Sequence, residues 1–467
     1  MCENEDNIIT VGKYVIIKKQ NFKKIYKVAT NGTLMLGRDT VQMHEIIGKP
    51  FWTTFEMIPV KEGKRTYFLK EVLETESLND LLNKLPSGND NRTIVDDGTS
   101  QKLSKEEILR LQESGKTGKE IVGSLIENNK SFLDRTEYSQ EKYLKKKEQK
   151  YLRYITIWKP NISLLHDVYF QLDHNKIGNL RMDSLSQLLS YSDVQSDGLY
   201  MLYDSGSHGM SAAAILNRIG SNTEGHLINL HPGNVPQLAL VNAMNFPREQ
   251  LDKLINVNIY SFLRLYHQGE SAVLDKISKK VHNNCINKIK ENKGKNDDES
   301  LVNNEIPQIE EIDMKEENLN NINESNDKVE HSTNGSLKRK RDESDIHEAA
   351  EVTVAKKPKW LMETQDAVKL VKGSKARGLV IVAKEHPLNI VTALLPFLGF
   401  SRPFVIYHAH REPLQETYMT LKQKQSVINL RLLSNFLRSY QVLPDRTHPD
   451  ILTSDTGGYL LSGYLVQ

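Results

Sequence analysis

Asp204-Ser-Gly-Ser-His-Gly209 is the stretch where residue types and spacing could do chemistry. A short apolar run, Leu199 to Tyr203, ends in Asp204; a glycine turn follows, and the small residues Ser211 to Leu216 read as a helix. Strand, tight glycine turn and helix are the opening unit of a doubly wound nucleotide-binding fold. Glycines let the backbone turn sharply and approach a ligand, and a helix N-terminus offers unpaired N–H groups. The spacing Asp-x-Gly-x-x-Gly is looser than the dinucleotide fingerprint. Alone, it reads either as a ligand cradle or as a glycine-tolerant strand–helix corner.

A second set of side chains suits a polyanion. Laid on a helix, Tyr138 to Tyr154 carries Lys142, Lys145, Lys146 and Arg153 down one side. Tyr143, Lys147, Lys150 and Tyr154 run down the next. A basic helix edged by tyrosines is a footprint for the RNA backbone, although a solvated interdomain helix carries the same charges. Nearer the N-terminus, Lys13, Lys18, Lys19, Lys23, Lys24 and Lys27 alternate with Tyr14, Phe22 and Tyr26. That pattern either tracks phosphates and stacks bases or forms a solvated outer face. Lys338-Arg339-Lys340-Arg341 and the later cluster Lys356 to Lys359 resemble a bipartite nuclear import signal, with charge for solubility as the bland reading.

These residues need a frame. Residues 1–99 read as an N-terminal part with a small β-barrel and a linker: short β-rich runs begin at Ile8, Phe22, Gly32, Val41, Ile46 and Phe51, between Gly, Asn and Asp punctuation. Residues 100–196 read as a basic helical connector. Its first helix starts after Ser104, with Glu107 as capping-box partner, and its second, from about Lys119, puts Ile121, Val122, Leu125 and Ile126 on one face. Gly115-Lys-Thr is no phosphate loop, since the upstream glycine is replaced by Arg110. Two more helices are expected over 161–192.

Residues 197–285 and 360–467 then read as an α/β Rossmann-like domain. Strands are expected at Leu199, His226, Asn256, Gly378 and Pro403, with helices at Val235–Met244, Leu388–Leu398 and Glu412–Gln423. The β-rich runs Val427–Leu433 and Tyr459–Val466 finish the sheet antiparallel, the architecture of Rossmann-like methyltransferases, or serve a subunit interface. Residues 286–359 interrupt this domain with Asn, Lys, Glu, Asp and Ser and are expected to be disordered.

At 467 residues the chain can hold two or three cores. With 62 Lys+Arg against 60 Asp+Glu, net charge names no partner, so nucleic-acid affinity must come from clustering. Two cysteines exclude a disulfide scaffold and a cysteine-rich zinc site, and no metal is expected. The acidic N-terminus lacks an apolar signal region and no run nears ~20 apolar residues, so an intracellular, soluble protein is expected.

Gln101 to Ile108, Tyr138 to Lys147, Leu230-His-Pro-Gly233, Asn245-Phe-Pro247, Ser401 to Tyr407, Tyr440 to Pro449 and Gly457 to Gly463 carry a family resemblance. The chain resembles the non-catalytic subunits of the tRNA adenine-58 N1-methyltransferase. That resemblance implies a tRNA-binding subunit in a two-plus-two heterotetramer with a catalytic partner, which holds S-adenosylmethionine, and a nuclear location. It implies no catalytic residue and no cofactor in this chain. Adenosylmethionine sites of the family need a carboxylate at the end of strand two, where this chain has Asn229-Leu230-His231. The turn has Ser205 and Ser207 where catalytic relatives have glycines around Gly206 and Gly209, and strand four ends Ala383-Lys384-Glu385-His386 without an Asp. His208 is expected to narrow the pocket, while Glu385 is a displaced base or a structural carboxylate. Lys384 and Arg402 are expected at the carboxyl edge of the sheet as further tRNA contacts. Two other readings stay open: a tRNA methyltransferase active by itself, and an RNA-binding scaffold without a methyltransferase partner.

Overall fold

The computed structural model describes residues 7–20, 22–60, 65–73, 86, 88, 100–113, 118–271, 358–442, 447–451 and 457–466. The N-terminal strands are β1 (Tyr14–Lys19), β2 (Phe22–Lys27), β3 (Thr33–Leu36), β4 (Asp39–Gln42), β5 (Thr54–Pro59), β6 (Thr66–Val72) and β7 (Tyr154–Trp158). They form a nearly closed seven-stranded sheet in the order β2-β1-β7-β5-β6-β4-β3. Alternation builds it: Leu34 and Leu36, Phe55 and Met57, Tyr67 and Leu69, and Ile155 and Ile157 all point into one core.

Two expectations change here. The run at Ile46 is a 3-10 turn, His44–Ile46, whose single buried side chain is Ile46. The stretch 100–196 is not purely helical, because β7 returns to the barrel and lies between β1 and β5. Its apolar-polar alternation is only five residues long, and its partners are more than ninety residues away in sequence.

Among the described residues, three α-helices precede β7: α1 (Lys105–Glu113), α2 (Gly118–Glu127) and α3 (Glu137–Tyr151). The capping box on α1 is present: the Glu107 N–H donates to Ser104 Oγ at 3.2 Å and the Ser104 N–H to Glu107 Oε2 at 2.8 Å. Ile121, Val122, Leu125 and Ile126 of α2 bury against Phe132 and Leu144 in a small separate core.

After β7 come α4 (Ile162–Asp173), capped by Asn161 Oδ1 on the Leu164 N–H, and α5 (Met182–Tyr191). Then follow β8 (Leu199–Asp204), α6 (Met210–Ile219), β9 (His226–His231), α7 (Ala239–Ala243), α8 (Arg248–Leu251) and β10 (Leu254–Asn258). A helix α9 covers 259–271. The rest of the domain is α10 (Lys359–Gly373), β11 (Gly378–Val382), α11 (Pro387–Leu394), β12 (Pro403–His408), α12 (Glu412–Lys424), β13 (Val427–Ser434), the short pair β14 (Tyr440–Gln441) and β15 (His448–Pro449), and β16 (Tyr459–Leu465). The helix expected over Val235–Met244 shrinks to α7, and Pro396 ends α11 in a 3-10 turn, Leu395–Phe397.

These strands order as β10-β9-β8-β11-β12-β16-β13. From β10 to β12 every pair is parallel, whereas β16 runs antiparallel to both neighbours. The continuous apolar run of β11 is buried on both faces, as a parallel sheet covered by helices requires. Leu165 and Val168 of α4 and Leu185 and Leu188 of α5 share one core with α6 and the sheet, so these helices pack with the Rossmann-like domain. β16 lies inside the sheet and completes it; β13 is the edge. The import-signal residues Lys338 to Arg341, Gly115 to Thr117 and most of 286–359 lie outside the described residues.

Candidate functional site

Chain order reverses at β8: β9 lies on one side and β11 on the other. In a doubly wound sheet, ligands bind outside the carboxyl ends of the strands at this switch point. β8 brings Asp204 there, and β11 brings Lys384 and Glu385.

Asp204 is buried, and its carboxylate is used by its own turn. Oδ1 accepts the N–H groups of Gly206 at 3.1 Å and Ser207 at 2.8 Å; Oδ2 accepts the Ser207 hydroxyl at 2.5 Å. Ser207 Oγ in turn accepts the Ser211 N–H in the first turn of α6 at 3.1 Å. Burial pushes the Asp204 pKa up, and the bonds from Ser207 and Gly206 pull it back. The N–H groups of Gly206, Ser207 and Ser211, which could otherwise face an anionic ligand, are therefore already engaged.

Ser205 ties the two strand ends together. Its N–H donates to Val382 O at 3.1 Å, and its hydroxyl donates to Glu385 Oε2 at 2.6 Å while accepting the Lys384 N–H at 2.9 Å. The Tyr203 hydroxyl reaches the same carboxylate oxygen at 3.4 Å, and burial pushes its pKa up. The Lys384 stem lies over the turn: a Cβ on Gly206 would meet its Cε at 2.8 Å and its Cγ at 2.9 Å. Gly209 has φ +81°, and a Cβ there would lie 2.6 Å from Gln237 O, so this glycine permits close backbone packing.

At the end of β9, the buried Asn229 gives its Nδ2 to Asn256 Oδ1 at 2.9 Å, and His231 Nδ1 bonds Gly233 O at 2.9 Å. S-adenosylmethionine does not fit this set of residues. Lysine hydrocarbon covers the glycine turn, and no carboxylate waits for ribose hydroxyls. What remains is a cleft of ≈ 300 Å³ lined by Asn175, Asn179, Gly206, Lys384, Tyr407 and His410, displaced toward β12. His208 does not line it: its ring packs 6.1 Å from that of Tyr169, and burial holds its pKa low.

The basic residues divide. On α3, Lys142, Lys145, Lys146 and Lys150 are exposed, with Lys145 paired to Glu141 at 2.7 Å. Lys147 is half-buried over the Tyr143 ring at 5.1 Å, and burial lowers its pKa. Arg153 is not on the helix, which ends at Tyr151; its guanidinium stacks 5.0 Å from the Tyr67 ring and donates to the Tyr67 hydroxyl at 2.7 Å. The expected stripe stops there because the backbone turns extended at Leu152. Lys384 is at the carboxyl edge as expected. Arg402 is not: it precedes β12, which runs parallel to β11, and so lies at the amino edge. Several barrel lysines serve the fold: Lys19 pairs with Asp39 at 3.0 Å, Lys23 with Asp167, and Lys24 donates to Met35 O at 3.0 Å.

Sheet order and switch point define a Rossmann-like domain of methyltransferase type whose cofactor corner is closed by its own side chains. The Gcd10p family matches residues 8–293, and this chain belongs to that family. It is 32% identical over 461 residues to the mouse (Mus musculus) protein named tRNA (adenine(58)-N(1))-methyltransferase non-catalytic subunit TRM6, covering 99% of this chain and 89% of that one. A Dictyostelium discoideum protein of the same name is 28% identical over 467 residues, covering 99% and 80%. Among solved structures, the tRNA (m1A58) methyltransferase of Aquifex aeolicus aligns with 99% of this chain and 100% of its own, at 9% identity and a TM-score of 0.40.

Proposed function

We propose that this chain is the non-catalytic subunit of a tRNA adenine-58 N1-methyltransferase. It holds tRNA for a catalytic partner that carries S-adenosylmethionine, in a two-plus-two assembly in the nucleus. The observation that carries this reading is the closed crevice: Ser205 bonded to Glu385, Lys384 laid over Gly206, and Asn229 where a ribose carboxylate would stand. A family member that keeps the fold without the cofactor corner contributes surfaces instead of chemistry.

Two surfaces support it. Lys142, Lys145, Lys146 and Lys150 present exposed ammonium groups along one helix, suited to phosphate. Lys384 adds one at the crevice mouth, Lys147 of the same helix lies over the Tyr143 ring and Arg153, past the helix end, over the Tyr67 ring, and Arg402 is left for a separate contact at the amino edge. Between β13 and β16 the chain exposes Phe436, Leu437, Tyr440, Val442 and Ile451, an apolar arm suited to the catalytic partner.

The deciding experiment measures equilibrium binding of adenosylmethionine, and methyl transfer to tRNA, for this chain alone and with its partner. Binding and transfer only with the partner are expected; transfer by the lone chain overturns the reading. Alanine in place of Lys338 to Arg341 tests nuclear import, with cytoplasmic retention expected.

A further inference from the structure

Trp52 is held where a bulky residue rarely stays. Its φ is +74°, a left-handed conformation that a side chain with a Cβ adopts at a cost, and its N–H donates to Ile157 O at 2.7 Å. Yet the ring is not spent on the core: 53% of the residue is exposed. It leans on a second indole, Trp158 of β7, with ring centroids 5.5 Å apart and planes at 43°. Lys18 of β1 sits 4.4 Å from the Trp158 centroid and Lys23 of β2 5.9 Å from it. Lys23 is neutralised by Asp167, whereas Lys18 has no ion-pair partner among the described residues.

Backbone strain on an exposed aromatic points to a use outside the fold, since a glycine would hold the same turn at lower cost. The neighbours indicate which use. Protein interfaces are depleted in lysine, whereas surfaces that bind unpaired nucleotides combine aromatic faces for bases with cations for phosphates. We propose that Trp52, supported by Trp158 and Lys18, is a stacking platform on the barrel for an unpaired base of the tRNA. The inference rests on the tRNA-binding reading above and adds to it a contact that recognises base faces. Lysines on α3 neutralise phosphates; Trp52 recognises a base that is out of the duplex stack.

The test uses the chain assembled with its catalytic subunit and unmodified tRNA, with affinity measured over a salt series. Trp52→Gly removes the ring and suits the φ, so the variant folds and assembles at least as well as the parent. Its tRNA affinity is expected to fall about ten-fold, with an unchanged salt slope because no phosphate contact is lost. Trp52→Phe keeps an aromatic face and is expected to retain most of the affinity. Parental affinity in Trp52→Gly overturns the platform while leaving tRNA binding intact. Failure of Trp52→Gly to assemble overturns it in favour of a protein contact. A parent assembly that does not bind tRNA overturns the underlying reading instead.

Discussion

Ser205 and Glu385 are joined by a 2.6 Å hydrogen bond across the ends of β8 and β11, the two strands that flank the switch point. The same serine accepts the Lys384 N–H, so both sides of the crevice are tied through one hydroxyl. Where a doubly wound sheet ordinarily opens toward a ligand, this one joins its two strand ends, and the cleft that remains is displaced toward β12.

Glu385→Ala removes the acceptor for the Ser205 and Tyr203 hydroxyls. The carboxylate is exposed and water replaces it, so the expected loss is about 1 kcal/mol in urea unfolding. Adenosylmethionine binding, measured by equilibrium dialysis, is expected to stay absent, because Lys384 still covers Gly206 and Asn229 still offers no carboxylate. Gain of binding would show that this one hydrogen bond is what closes the crevice.

Gly209→Ala combines a positive φ with a contact to Gln237 O at 2.6 Å. Gly12 has φ +91° with nothing within 4 Å of its would-be Cβ, so Gly12→Ala carries the conformational cost alone, roughly 1–2 kcal/mol. The glycine turn is expected to lose clearly more than that control in parallel denaturant melts, since a backbone oxygen cannot swing away. Equal losses would mean that the loop holding Gln237 yields.

Charge reversal of Lys142, Lys146 and Lys150 to Glu is expected to weaken tRNA binding by the assembled complex. Each lost phosphate contact should lower the salt slope by about one unit. These side chains are exposed, so stability is expected to change within about 0.5 kcal/mol. An unchanged affinity and slope would make α3 a solvated strut.

Burial holds the pKa values of His166, His208 and His231 below their ordinary 6.5. The unfolded chain then takes up protons that the folded one refuses. Stability from these groups is complete above pH 6.5 and is lost as pH falls through their folded values. Melting temperature is therefore expected to decline on acidification from pH 6.5, and more gently in His166→Gln, whose amide can keep the bond to Leu180 O that the His166 Nε2 makes at 2.9 Å. Superimposable profiles would remove His166 from that account.

Much of the site was legible because it depends on which residue types are present. The missing carboxylate at Asn229-Leu230-His231 and the missing Asp after β11 are facts of composition at positions that strand counting locates. Capping between Ser104 and Glu107, and the buried face of α2, followed from spacing within one turn or two. Among the expected tRNA contacts, the positions that moved were Arg153 and Arg402. Arg153 lies one residue past the helix C-cap at Leu152, where only geometry tells helix from strand entry. Arg402 is expected at the carboxyl edge of the sheet, although parallel pairing of β12 with β11 sets it at the amino edge. Trp52 carried no sequence signal beyond its type.

By itself the sequence determined the local and periodic features: the strand, glycine turn and helix at Leu199 to Leu216, the basic helix, and the apolar runs of the parallel sheet. Only the tertiary structure decided that β7 returns to the barrel, that β16 lies inside the sheet with β13 at its edge, and that Ser205 meets Glu385. Each of these joins residues far apart in the chain, and such pairings are selected by burial and hydrogen-bond satisfaction across the whole fold. For Ser205 and Glu385 that separation is 180 residues. Local pattern specifies the pieces, and long-range packing specifies which pieces face each other.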